Sequence, residues 1–119
     1  MTTMIRILHL TDTPDISIAV RVYDPVPTAT DWSCRVEIGW PGASWSREVT
    51  GIDAMQAIQL ALLMIGTELY SSNLHATGQL IWLAPGDGYG FPVPRVIHDL
   101  LVGQDQSQFG STDLDSRTT

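Results

Sequence analysis

The chain has 119 residues, 44% of them apolar, with four Trp and a single cysteine, Cys34. That suffices for one domain of roughly 100 to 150 residues whose core is held by packing and not by disulfides, as a reducing cytoplasm would favour. Thirteen Asp and Glu against six singly scattered Arg and no lysine give a formal charge of −7, which argues against a nucleic-acid partner and leaves a basic protein as the charge-matched one.

Residues 4–10 (MIRILHL) read as a short opening strand. No cationic stretch, long apolar segment and small-residue cleavage site follow one another there, so a cytoplasmic location is expected. Ile16, Ile18, Val20 and Val22 then alternate with Ser17, Ala19, Arg21 and Tyr23, the period of a strand with one buried face. Asp24-Pro25-Val26-Pro27 breaks regular structure before a second alternating run, Trp32, Cys34, Val36, Ile38 and Trp40. Pro41-Gly42-Ala43-Ser44 predicts a tight turn, and residues 45–50 return as a shorter strand. Pairing Trp40 with Trp45 would set Val36 opposite Val49 and Glu37 opposite Glu48, with Arg47 on the apolar face near the sheet edge.

Asp53 followed by Gln56 is a helix start of the capping-box type. Ile58, Leu62, Ile65 and Leu69 mark one helical stripe flanked by Ala54, Ala57 and Ala61, and the helix is expected to end near residues 71–73. Leu60, Leu63 and Met64 widen the apolar surface beyond what one sheet face needs, which predicts a second contact, supplied by a homodimer through this helix or by the chain itself. The longest apolar run, 57–65, is interrupted by Gln59 and far short of the ~20 residues that cross a bilayer. Residues 79–84 (QLIWLA) predict a last strand. In residues 85–94 (PGDGYGFPVP) six of ten are Gly or Pro, which predicts an ordered loop, and residues 95–102 predict a short helix.

The reading is therefore α+β, with a four- to five-stranded antiparallel sheet and one long helix packed on one face, in the order β-β-β-β-α-β-α. It forms a single domain over 1–103 with a disordered polar tail over 104–119.

The helix text GIDAMQAIQLALLMIGTELY, followed by GQLIWL and GDGYGFPVP, resembles a family of small bacterial domains of unknown function. The resemblance covers the central and C-terminal half. It implies a bacterial origin and a compact domain, and brings no catalytic or binding residues with it.

Candidate sites are weak. Gly86, Gly88 and Gly90 lack the strand–glycine–helix context of a dinucleotide fingerprint and the Lys of a phosphate loop, so a structural turn is expected. Glu37 and Glu48, placed face to face, could hold a cation or serve as an acid and base, but on a solvated face with Arg21 and Arg35 beside them they read as compensated surface charges. Cys34 falls among apolar positions, and His9, His75 and His98 are scattered without ligand or triad spacing. Buried-thiol and surface-histidine roles are therefore expected, with no metal and no cofactor. Trp32, Trp40 and Trp45 are expected to fill or rim the core; Trp40 and Trp45 double as candidate partner anchors.

Two functional expectations follow from these residues. One is a non-catalytic protein-interaction module of immunity or accessory type. The other is a small-ligand or hydrolytic site built on the loop 85–94. The contact residues for a partner or ligand would be Trp40, Trp45, Leu63, Asp87, Tyr89 and Phe91.

Overall fold

A computed structural model describes residues 3–94, 102, 103 and 105. The alternating segments pair as antiparallel strands: β1 (Thr3–Leu10), β2 (Ser17–Tyr23), β3 (Val26–Pro27), β4 (Trp32–Trp40) and β5 (Ala43–Gly51). β2 lies between β1 and β4, and β5 runs along the whole of β4. Since β5 takes one edge of β4, β2 and β3 share the other. The break at Asp24-Pro25 is thus an interruption and not an end: three residues, 23–25, face two, 34–35, between the pairs Val22–Val36 and Val26–Ser33. This is the geometry of a bulge, and Pro25, with no N–H to give a ladder, suits it.

The β4–β5 register differs from the expected one. Trp40 pairs with Ala43 and Trp45 with Ile38, so only Pro41 and Gly42 form the loop. Gly42, at φ 82°, takes the left-handed third position of a turn whose second residue is proline. The shift is two residues, which returns every side chain to the face already assigned to it, so hydrophobic alternation cannot detect it. Its consequence is chemical: Glu37 faces Ser46 and Glu48 faces Arg35, not each other, while Val49 faces Cys34.

Asp53 begins the long helix α1 (Ala54–Tyr70), its Oδ1 accepting from the Gln56 amide at 2.8 Å. The Gln56 side chain reaches back to the amide of Ile52 at 2.7 Å, closing the box one residue earlier than the cap. α1 crosses β4 and β5. Its innermost line is Ala57, Ala61, Ile65 and Leu69, each fully buried, whereas Ile58 and Leu62, expected on that line, flank it half-buried. The alanines let the helix lie close to the sheet. At Gly51 a Cβ would stand 2.4 Å from the Ala57 nitrogen, so the crossing tolerates no side chain there. Leu8, Ile18, Val20, Val36 and Ile38 complete the core from the sheet.

A short helix α2 (Asn73–Ala76), absent from the sequence reading, turns the chain back to β6 (Leu80–Ile81), which pairs with the end of β1. β6 is two residues long, not the six of 79–84. Residues 85–94 form the expected loop without helix or strand, and its end lies across α1. Phe91 and Val93 are buried, and at Gly66 a Cβ would fall 1.9 Å from the Pro92 oxygen. Part of the wide apolar face of α1 is therefore covered by the chain itself. The helix expected over 95–102 lies outside the described residues apart from Val102, and so does all of 104–119 except Asp105. Asp105, on the tail side of the boundary drawn at 103, is only 2% exposed.

Candidate functional site

The polar chemistry of the described residues gathers where loop 85–94 meets β1, α1 and α2. Tyr70, in the last turn of α1, donates its hydroxyl to Oδ2 of Asp105 at 2.7 Å. The amide of Tyr89 donates to the same oxygen at 2.8 Å, and that of Gly90 to Oδ1 at 2.7 Å. Arg6, on β1, donates Nη1 to the carbonyls of Tyr89 and Gly90 at 3.0 and 3.1 Å. Its guanidinium lies 4.0 Å over the Trp82 ring and 4.8 Å from that of Phe91, two cation–π contacts that replace part of its lost hydration. His75, on α2, hydrogen-bonds through Nδ1 to the Tyr89 hydroxyl, and its ring meets Tyr70 edge-on at 4.7 Å.

Burial sets the protonation of this cluster. It pushes the Tyr70 and Tyr89 hydroxyls above the usual phenol range, with the hydrogen bond to Asp105 adding at Tyr70 and the Asp105 charge at Tyr89. Both stay protonated, which keeps Tyr70 a donor. Burial also lowers His75, so its imidazole is neutral near pH 7, and it lowers Arg6 against the opposing pull of Asp105. A charged carboxylate taken out of water is tolerable only when hydrogen bonds and a nearby cation compensate it, and here three donors and Arg6 do so.

The loop is shaped around that carboxylate. Gly88 and Gly90 hold φ of 85° and 79°, and a Cβ on Gly88 would stand 2.5 Å from Cγ of Asp105. The glycines expected to form a structural turn thus also converge backbone amides on an anion, and the anion is the chain's own. Arg6, Trp82, Leu83, Asp87, Gly88, Gly90 and Asp105 line a cleft of about 160 Å³. That is below the ~300 to 1,000 Å³ of ordinary ligand clefts.

The residues singled out in the sequence divide accordingly. Tyr89 and Phe91 are buried, at 4% and 5% exposure, and Asp87 lines the cleft half-buried. Trp40 and Trp45 pack half-buried against the core at the turn end of the β4–β5 hairpin, and Arg47 lies 5.1 Å over Trp45. Leu63 is half-buried on α1. His75, expected at the surface, is inside the cluster, whereas Cys34 is fully buried as expected, with its thiol pushed up by burial. Glu37 and Glu48 are bridged by Arg35, at 3.0 and 3.4 Å. Tyr23 donates to Glu37 at 2.8 Å and Ser33 to Glu48 at 2.6 Å; the Tyr23 bond and then Arg35 hold Glu37 below the usual carboxylate range. No group of three metal-ligating side chains occurs among the described residues. Arg6, Tyr70, His75 and Asp105 were missed because each is alone in its segment, and only the Gly-rich spacing of 86–90 hinted that something must nest there.

Among the described residues, no helix or strand covers the sheet face turned away from α1. Ile5 and Ile7 are 56% and 41% exposed on it, alongside Arg21, Tyr23, Arg35 and Glu37. No described helix is long and apolar enough to cross a membrane.

Comparison with known families gives a match over residues 4–93 to the model of DUF6968, a domain of unknown function. No curated protein and no solved structure matches the chain.

Proposed function

The chain belongs to the DUF6968 family of domains of unknown function, and from its geometry we propose that it is a non-catalytic, cytoplasmic interaction module of immunity or accessory type. Its partner is a protein with a basic surface. The observation that carries this is the sheet face that no described element covers, with the exposed Ile5 and Ile7 along its β1 edge and the exposed Asp12 and Asp15 at the β1–β2 turn. Exposed apolar side chains bordered by charged ones suit a protein contact, and the formal charge of −7 without a lysine matches it to a cationic partner. Trp40 and Trp45 share the α1 side of the sheet with Ile38, so the proposed contact does not rest on them. The reading of loop 85–94 as a ligand or hydrolytic site is weaker, because the polar groups there are engaged with one another and the cleft is small.

The test compares the parent with two paired variants, Ile5→Glu with Ile7→Glu on the sheet face and Leu60→Glu with Met64→Glu on α1, as baits in lysate. A partner retained by the parent, released by salt and lost only with the sheet-face variant, at unchanged melting temperature, supports the proposal. Retention indifferent to the sheet-face variant overturns it. Loss with the α1 variant, together with a parent that sediments as a dimer, would assign the interface to the 38%-exposed Leu60 and Met64 and to a second copy.

A further inference from the structure

Asp105 sits in the loop as a bound ligand sits in a receptor. Among the described residues, the donors to its carboxylate come from the body of the domain, Tyr70 on α1 and the amides of Tyr89 and Gly90, at 2.7 to 2.8 Å. The acceptor comes from beyond Gly103. Arg6 borders the same cleft and is itself fixed by the loop carbonyls, so a cation faces the anion without being spent on it in a direct hydrogen bond among those observed. Two consecutive amides brought to bear on one anion by glycines in the left-handed region form a nest. The nest has a selective shape. Two oxygens lie where three donors meet them, and a Cβ on Gly88 would come within 2.5 Å of the carboxylate carbon, so the site admits the group only with glycine at 88.

We infer that loop 86–90 and the Tyr70 hydroxyl form a carboxylate-binding site, and that Asp105 is its tethered occupant. The ligand class is a small monocarboxylate. Because Asp105 is held on the same chain, its effective concentration is in the range of short tethers, ~mM or above, and a free carboxylate competes poorly while Asp105 is present. Removing the Asp105 side chain vacates the site and makes it visible to a free ligand. A ligand that binds only the folded state raises the melting temperature as its concentration passes its dissociation constant.

The experiment is a thermal melt of the full-length Asp105→Ala chain in acetate or formate, against chloride and sulfate at matched ionic strength. The parent and Asp105→Asn run beside it. Acetate and formate are expected to raise the Asp105→Ala transition saturably by several degrees. The parent and Asp105→Asn, whose sites are filled by their own side chains, should not move. A rise of the same size in chloride or sulfate, or in the parent, overturns the inference, because the effect would then be one of bulk salt. If Asp105→Ala is unfolded in chloride, the same titration is read as recovery of helical circular dichroism. Recovery in acetate alone supports the site, and its absence even at high acetate overturns it.

Discussion

Gly66 shows at a single residue how sequence preference and packing pull in opposite directions. In the middle of a helix glycine costs about 1 kcal/mol relative to alanine, so Gly66→Ala should stabilise α1 taken alone. In the folded chain the new methyl would fall 1.9 Å from the Pro92 oxygen and 3.1 Å from a Val93 methyl, at the point where the end of loop 85–94 crosses the helix. Backbone cannot yield as a flexible side chain can, so overpacking of about 1 to 3 kcal/mol should outweigh the helical gain. The urea midpoint of Gly66→Ala is therefore expected below that of the parent. A midpoint at or above it would mean that 91–93 does not press on α1. Nothing in the run ALLMIGTELY distinguishes this glycine from an accidental one, because its contact lies twenty-six residues further along the chain.

The elements followed local signals closely where those signals were local. Asp53 and Gln56 announce the start of α1 by short-range hydrogen bonding, and Asp53→Ala is expected to lower stability by about 1 kcal/mol, read as a shift of the denaturation midpoint at neutral pH. The strand alternation likewise gave the buried face of β2, β4 and β5, because a period of two reports the face directly. What alternation lacks is phase along the strand, and the Trp40–Ala43 pairing had to come from the two-residue Pro41-Gly42 turn. The same limit applies at the C-terminal end. Residues 104–119 read as a polar tail, since nothing in the sequence marks Asp105, one of three aspartates there among Gln, Ser and Thr, as the one that will be buried. The burial of Asp105 makes truncation of the tail costly. A chain ending after Gly103 loses the carboxylate that Tyr70, Tyr89 and Gly90 bind, and strands two buried donors, each worth about 1 to 3 kcal/mol when unsatisfied, and the half-buried Gly90 amide. It should melt well below a chain ending after Ser107. Equal melting temperatures would show that Asp105 does not hold the loop.

At the scale of the whole molecule, the core between sheet and helix was legible from apolar spacing, whereas the polar cluster beside it was not. That cluster joins β1, α1, α2, the loop 85–94 and Asp105, five segments that no local pattern ties together, and it makes stability depend on pH. Among the described residues, His75 is the histidine whose protonation the fold is seen to shift. Burial among the Tyr70 and Tyr89 rings lowers it from its ordinary value of 6.5. Between that value and the lower folded one, the unfolded chain binds a proton that the folded chain refuses, so stability rises with pH there and is lost as pH falls below about 6.5. Glu37, held low first by the Tyr23 hydrogen bond, contributes in the same direction only as pH falls below the ordinary carboxylate value of 4.5, and it is largely solvated, so its effect is separate and small. Comparing about pH 7.5 with about pH 5.5 therefore separates the His75 contribution from that of Glu37. The parent should unfold at lower urea at the acid end. His75→Gln, which keeps a polar side chain without the titration, should show a smaller difference between the two conditions. If the parent and His75→Gln lose the same stability between them, the imidazole is not held neutral by the fold, and the cluster around Tyr89 is more open to water than its hydrogen bonds indicate.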